Sequence, residues 1–282
     1  MKFDHFVGGK GSEGVWQRIV SQMPPHRVYV EAFYGTGVIE RNKRPADITF
    51  CIDADPRVID AHVSSSNTGN GGADRTFVLG DAISWLKRFG QWQGDELVYC
   101  DPPYLMNTRS CQRQYYRHEL PTCAHVELLR VIKRLPCYVM ISGYWSKLYA
   151  SELAGWRLVT IPTVVRSGER RTECLWCNFP EPTVLHDYRW LGADFRERER
   201  IKKKTRRLVT KFGALPPLER AALFSAVAQL APPLPTVRPG ATPPRPSPKV
   251  SMLPAVSPKV SMGSRIAKNG GRRRRSDIAS PV

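Results

Sequence analysis

The stretch Val98-Tyr99-Cys100-Asp101-Pro102-Pro103-Tyr104 carries the residue types best suited to chemistry. Three largely apolar residues run into a carboxylate, two prolines and a phenol ring. Val98, Tyr99 and Cys100 suit a buried strand. Two prolines cannot continue that strand as central sheet, so the chain must leave the sheet at Asp101. The carboxylate and the ring then sit stiffly at the carboxyl edge, where open α/β sheets bind their ligands. Such stiffness suits a site that holds two reactants in line. The competing reading is a rigid strand-to-loop exit with an acidic tip.

Other residues are spaced to hold a ligand beside it. In Phe6-Val7-Gly8-Gly9-Lys10-Gly11 the glycines allow close backbone approach and Lys10 offers a positive charge, although a Gly-Gly-Lys is also an ordinary loop. Val28-Tyr29-Val30 runs into Glu31-Ala32-Phe33-Tyr34-Gly35-Thr36-Gly37. A strand, a glycine turn and a helix start make a nucleotide-type corner, but the third glycine of a dinucleotide fingerprint is missing. Asp53 ends the next β-rich run, about twenty residues on, where a Rossmann-like acid holds ribose hydroxyls. Asp55 is its rival, and either could instead cap the helix starting near Pro56. Asp81 divides between capping the next helix and touching a ligand. Arg109, Arg113, Tyr115, Tyr116 and Arg117 mix cations with rings in the loop after Tyr104. They suit phosphate clamping and base stacking, or a solvated lid. Cys174 and Cys177 have the spacing of a metal knuckle, but they lie in an alternating run and should face opposite sides of a strand, so no metal is expected.

The elements that must position these groups follow from pattern. Helices are expected from Ser12 to about Met23, from Val38, from Pro56, from Asp81 to Phe89, over Thr122–Leu135 and over Trp145–Leu153. Strands are expected at Val28–Val30, Ile48–Asp53, Thr76–Leu79, Val98–Cys100 and Tyr138–Ser142, with a hairpin of Trp156–Val165 and Thr172–Phe179. This is an α/β fold with three layers and an antiparallel edge. Three regions are expected: a catalytic domain over 1–182, a basic helical extension over 183–230, and a proline-rich basic tail over 231–282 that buries too little apolar surface to fold alone. In the extension, Phe195–Phe212 reads as a basic helix. Pro216-Pro217 opens another, with Leu218, Ala222 and Leu230 expected to pack inward.

The net charge of +18 is unevenly placed: residues 183–282 hold 21 Lys and Arg against 6 Asp and Glu, whereas residues 1–182 hold 22 against 19. That asymmetry suggests a polyanionic partner, most plausibly nucleic acid, or a solvated tail. No apolar run approaches transmembrane length, the N-terminus has no signal-peptide core, and seven cysteines fit reduced thiols, so a cytoplasmic setting is expected.

Together the motifs resemble the Dam-like class of adenine-specific DNA methyltransferases over residues 3–180. Phe6 to Lys10 is similar to its N-terminal cofactor motif and Tyr29 to Gly37 to its glycine motif. Asp53 matches its ribose acid and Asp101-Pro102-Pro103-Tyr104 its catalytic signature, in the family's order. The resemblance implies a Rossmann-like methyltransferase fold, S-adenosylmethionine as methyl donor, DNA as partner, and a bacterial or phage context such as restriction-modification. It implies Phe6, Gly8, Gly9, Lys10, Glu31, Phe33, Gly35, Gly37, Asp53, Asp81 and Asp101 around the cofactor. It further implies that Asp101 and the Pro102 carbonyl accept hydrogen bonds from the 6-amino group of a flipped adenine, with Tyr104 stacked on the base. One departure stands out. Only 27 residues separate Asp53 from Asp81, too few for the family's recognition insert, which points to relaxed specificity or to readout by the Arg109–Arg117 loop and the basic helix. Methylation of the cytosine 4-amino group or of RNA, and a catalytically decayed DNA-binding protein, are the alternatives. Nothing fixes the oligomeric state; a monomer is plausible.

Overall fold

The computed structural model describes residues 10–11, 14–66, 74–109, 117–164 and 168–230. In chain order the elements are α1 (Val15–Val20), β1 (Val28–Ala32), α2 (Val38–Asn42), β2 (Ile48–Asp53), α3 (Pro56–Ser66), β3 (Asp74–Leu79) and α4 (Ala82–Arg88). There follow β4 (Glu96–Cys100), a 3-10 turn (Met106–Thr108), α5 (Thr122–Ile132), β5 (Tyr138–Tyr144), α6 (Lys147–Glu152), β6 (Arg157–Val164), β7 (Arg170–Cys177), α7 (Phe195–Gly213) and α8 (Pro217–Leu230).

The seven strands form one sheet in the order β3-β2-β1-β4-β5-β7-β6. The pairs β1–β2, β2–β3, β1–β4 and β4–β5 are parallel, and β7 is antiparallel to both β5 and β6. This is a Rossmann-like α/β sheet with an antiparallel edge. The expected hairpin forms, but β7 folds back into the gap beside β5 and leaves β6 at the edge.

Strand alternation sorts the core into two layers. Val28, Val30, Ala32, Val98, Cys100, Val139, Ile141, Cys174 and Trp176 face α4, α5 and α6. Tyr29, Leu97, Tyr99, Met140, Leu175 and Cys177 face α1 and α2. Cys51 and Tyr34 meet Val58 of α3. The central strands β1 and β4 are buried at every residue, as a sheet covered on both faces requires. Each aliphatic side chain so buried stabilises by about 1.5–3 kcal/mol. Cys174 and Cys177 fall into opposite layers, so no shared metal is possible there.

Several boundaries differ from expectation for local reasons. The first helix stops at Val20, because the Gln22 and Met23 amides close tighter turns onto Ile19 and Val20. In α5 the buried stripe is His125, Leu128, Leu129 and Ile132, and Val126 lies at its margin. The sixth helix begins at Lys147 rather than Trp145, because the Ser146 hydroxyl caps it by accepting from the Tyr149 amide at 3.1 Å.

Residues 183–190 strap back onto the sheet domain. Asp187 accepts from the Arg44 amide at 2.9 Å, the Trp190 indole donates to the Asn42 carbonyl at 3.2 Å and meets Trp16 edge-on at 4.4 Å. The basic helix forms as α7, capped by Asp194. The second helix forms as α8, but Leu218 (86% exposed), Leu230 (82%) and Ala222 do not pack inward. Its apolar residues surround the axis instead of forming a stripe, so it has no inner face to turn toward the domain. The tail beyond Leu230 lies outside the described residues. Among the described residues no helix is long and apolar enough to cross a membrane.

Candidate active site

The chain goes from β1 to β2 on one side and reaches β4 on the other, so the strand order reverses between β1 and β4. Ligands of open α/β sheets sit at such a reversal, beyond the carboxyl ends of the strands. Both principal motifs arrive there: Phe33–Gly37 leaves β1 and Asp101–Tyr104 leaves β4. The Asp101 amide donates to the Ala32 carbonyl at 3.3 Å, tying the two exits together.

Asp101 is 17% exposed and its two oxygens differ. Oδ1 takes an ion pair from Lys10 Nζ and a hydrogen bond from Ser142 Oγ at 2.9 Å. Ser142 is in turn 2.9 Å from the Tyr99 hydroxyl. Oδ2 has no hydrogen-bond partner among the described residues, which leaves it as a fixed acceptor at the corner. Lys10, only 6% exposed, also donates to the Tyr104 hydroxyl at 2.5 Å and lies 3.5 Å from Glu173 Oε1. Tyr104 donates to Glu173 at 2.5 Å. Burial first, then the Glu173 and Asp101 charges, push the Tyr104 phenol well above its ordinary value, so it remains a donor. Burial also raises the Glu173 carboxyl, and the neighbouring Lys10 does not fully offset it. The result is a continuous polar chain from Glu173 through Tyr104, Lys10, Asp101 and Ser142 to Tyr99.

The loop beyond Tyr104 is braced from behind. Arg109 grips Glu119 through two bonds of 2.8 and 2.6 Å and donates to the Tyr104 carbonyl at 2.8 Å. Its guanidinium is 6% exposed, so it serves as an internal clamp, neither the phosphate contact nor the solvated lid residue that the sequence left open. Arg113, Tyr115 and Tyr116 lie outside the described residues, and Arg117 is exposed. Beneath the loop, burial and the nearby Arg109 pull His125 down to about 4, so its ring is neutral.

The glycine turn faces this corner. Gly35 and Gly37 have φ of 52° and 61°, in the left-handed region. A side chain at Gly37 would meet the Tyr34 ring at 2.3 Å, whereas the nearest heavy atom to one at Gly35 is a carbonyl at 4.0 Å. Phe33 adopts φ 64° without being glycine, a strained conformation of the kind that clusters at binding sites. Asp53, at the end of β2, accepts from the Gly35 amide and the Asp55 amide, each at 2.8 Å. Burial raises its carboxyl despite those two donors. Its rival Asp55 is taken by Arg57.

The remaining expected residues divide. Glu31 is buried and braces the turn from inside, accepting from the Tyr29 hydroxyl and the Glu40 amide at 2.9 Å each. Burial and the Glu40 charge push it up to about 8. Asp81 caps α4, accepting from the Ser84 amide at 2.7 Å, at the end of a strand three places from β4. Phe6, Gly8 and Gly9 lie outside the described residues. In the sequence, Ser142-Gly143-Tyr144 and Arg171-Thr172-Glu173 also resemble stretches of the Dam-like class, but neither Ser142 nor Glu173 had a role assigned; both are now tied to the corner. His62, whose ring nitrogen lies 3.2 Å from the Gly35 carbonyl, was missed. The available signal for Glu173 was an acid inside a strand otherwise built to be buried.

The chain matches no protein-family model and no curated protein. Among solved structures it is similar to M. capricolum TrmK in complex with S-adenosyl-homocysteine, at 7% identity over 76% of this chain and 94% of that one, with a TM-score of 0.40. It is similar to the magnesium protoporphyrin IX methyltransferase of Synechocystis PCC 6803 with bound S-adenosylmethionine, at 14% identity over 57% and 74%, TM-score 0.37. It is also similar to the precorrin 8W decarboxylase of Methanobacterium thermoautotrophicum, at 15% identity over 62% and 96%, TM-score 0.36. At such scores no activity carries over; the fold assignment stands on the strand order.

Proposed function

We propose that this protein is an S-adenosylmethionine-dependent methyltransferase acting on the 6-amino group of adenine in DNA. The observation that carries this reading is Asp101: one oxygen is locked by Lys10 and Ser142, and the other is left as an acceptor beside the glycine turn.

The donor fits the residues present. Gly35 leaves open the volume that a side chain would fill, Phe33 and Gly37 hold the turn in a shape few residues adopt, and Asp53 keeps free lone pairs beside it. In this reading Phe33, Gly35, Gly37 and Asp53 hold S-adenosylmethionine, which supplies an electrophilic methyl group at the β1–β4 corner. The chain's own residues do the rest. Adenine's amino nitrogen is a poor nucleophile because its lone pair is delocalised into the ring. Asp101 Oδ2 and the Pro102 carbonyl accept its two protons as hydrogen bonds and so concentrate the lone pair on nitrogen. Lys10 and Ser142 keep the carboxylate from rotating, and the paired prolines keep it from drifting, which maintains the in-line approach. Tyr104, anchored at its hydroxyl, offers its ring to the extruded base. A carboxylate of this kind can then take the proton that the methylated nitrogen sheds.

Nucleic acid as substrate is supported by the charge of α7. From Arg200 to Lys211 it holds seven Lys or Arg and no acid, all exposed. The short link between β2 and β3 leaves no room for a recognition insert, so relaxed sequence preference is part of the proposal. The test is methyl transfer from labelled donor to unmodified DNA, with RNA as a parallel substrate. Label in DNA adenine supports the reading, and label confined to RNA or to cytosine replaces it with the corresponding amino-group methylation.

A further inference from the structure

A groove of about 400 Å3 opens next to the Asp101 corner, between the end of β5, the start of β7 and the 3-10 turn. Its walls include Asn107, Tyr144, Trp145, Lys147 and Arg171. Tyr144 leads into it from the reacting corner, since its ring meets that of Tyr104 at 4.6 Å in an edge-on contact. Trp145, the next residue, is 56% exposed. Tyr149 and Trp176, 5.2 Å apart, belong to the buried layer, and Trp145 is not part of it. A tryptophan held in water at the rim of a groove is a large apolar surface without a described partner. Two cations flank it. Arg171 lies over the Tyr144 ring at 5.6 Å, and its ion pair among the described residues is with an exposed acid, Glu169, at 3.1 Å. Lys147 is exposed and makes no ion pair among the described residues.

Flat aromatic surface, two positive charges and an amide such as Asn107 are complementary to one chemical unit: a planar base carrying a phosphate. We propose that this groove is a nucleotide subsite. It takes the nucleotide neighbouring the methylated one, with the base stacked on Trp145 and the phosphate between Lys147 and Arg171. The inference rests on the reading of the corner as a nucleic-acid methylation site, which Tyr144 joins to the groove. It deepens that reading by giving this chain a contact through which the neighbouring base is read, where no recognition insert exists. Stacking is tolerant of base identity, so the preference it confers is a graded one set by stacking strength.

The experiment is equilibrium binding of the full chain to short fluorescein-labelled single strands, one of DNA and one of RNA, read by anisotropy. Trp145→Ala is expected to weaken binding about tenfold, and Trp145→Phe to recover most of the loss, as stacking contributions of this size predict. A strand with one abasic site next to the target adenine should bind wild type and Trp145→Ala alike. Weakening in either the DNA or the RNA arm, abolished by the abasic site, supports the subsite and tells which backbone it takes. Equal affinity of wild type and Trp145→Ala in both arms overturns it, as does a loss for Trp145→Ala that persists with the abasic strand. S-adenosyl-homocysteine affinity, measured in parallel, should not change, and a matching drop there also overturns the assignment. Binding is read without turnover. A Trp145-dependent affinity in a chain that transfers no methyl group therefore leaves the groove standing and defeats the methylation reading, and the converse result defeats the groove alone.

Discussion

Asp101 and Lys10 are the pair on which the corner turns. Replacing Asp101 by Asn keeps the shape but removes the charge that, in the proposed reaction, draws density onto the amine, and methyl transfer should then fall about 10²–10³-fold with donor affinity little changed. Single-turnover rates beside a donor titration separate the two effects. Lys10→Met leaves Asp101 and Glu173 as close carboxyls without their shared cation. Losing one member of a buried pair costs about 3–5 kcal/mol, and the released carboxylate should misplace the acceptor enough to slow transfer about a hundredfold. Denaturant melts and kinetics of that variant check both numbers; unchanged stability would mean that Lys10 is solvated rather than buried. The acceptor was legible in the sequence because Asp-Pro-Pro-Tyr is contiguous. Its setting was not. Lys10 reaches it across 91 positions and Glu173 reaches Tyr104 across 69, and no local pattern encodes contacts made only once the sheet is assembled.

At the level of elements, the glycine turn is the most constrained piece. Gly37→Ala would place a carbon 2.3 Å from the Tyr34 ring at a φ of 61°, so both the ring and the backbone must move. A loss of about 1–3 kcal/mol is expected, seen as a lower Tm and weaker donor binding together. The carboxyl beneath the turn gives a pH signature. Glu31 holds its proton up to about 8 when folded, whereas an ordinary Glu in the unfolded chain loses it near 4.5. Between those values the native state binds more protons than the unfolded one, so the Glu31 contribution falls as pH rises. Stability of wild type relative to Glu31→Gln should therefore decline across pH 4.5–8, and a flat difference would place Glu31 in water. Strands and most helices were readable in advance because their two periods differ and their ends carry prolines, glycines or caps. The placement of β7 beside β5 was not. A hairpin in sequence has the same pattern whichever of its strands takes the inner position, and only the assembled edge decides.

At the scale of the whole molecule, charge and titration act together. Burial lowers His26 and His62 and takes His125 and His186 down to about 4, so these rings are neutral in the fold. The unfolded chain protonates them near 6.5, hence stability should fall as pH drops from about 6.5 toward 4. A shallower fall in His186→Gln, followed by thermal melts, would confirm its share; this is the strap residue stacked on His26 at 3.8 Å. Changing Lys202, Lys203, Lys204, Arg206 and Arg207 to Gln should weaken polynucleotide binding and flatten its salt dependence, by a log–log slope of about 0.9 for each duplex phosphate left without a neutralising side chain. Donor binding should be untouched, since among the described residues none of these five exposed side chains is bonded to the corner. The most direct measurement is of the product itself. Purified protein and its Asp101→Ala variant are incubated with unmodified DNA and S-adenosylmethionine, and the digested nucleosides are analysed by mass. The account predicts N6-methyladenine with the wild-type chain and none with the variant. Equal modification by both, or no N6-methyladenine in DNA from a folded, donor-binding wild type, would contradict it.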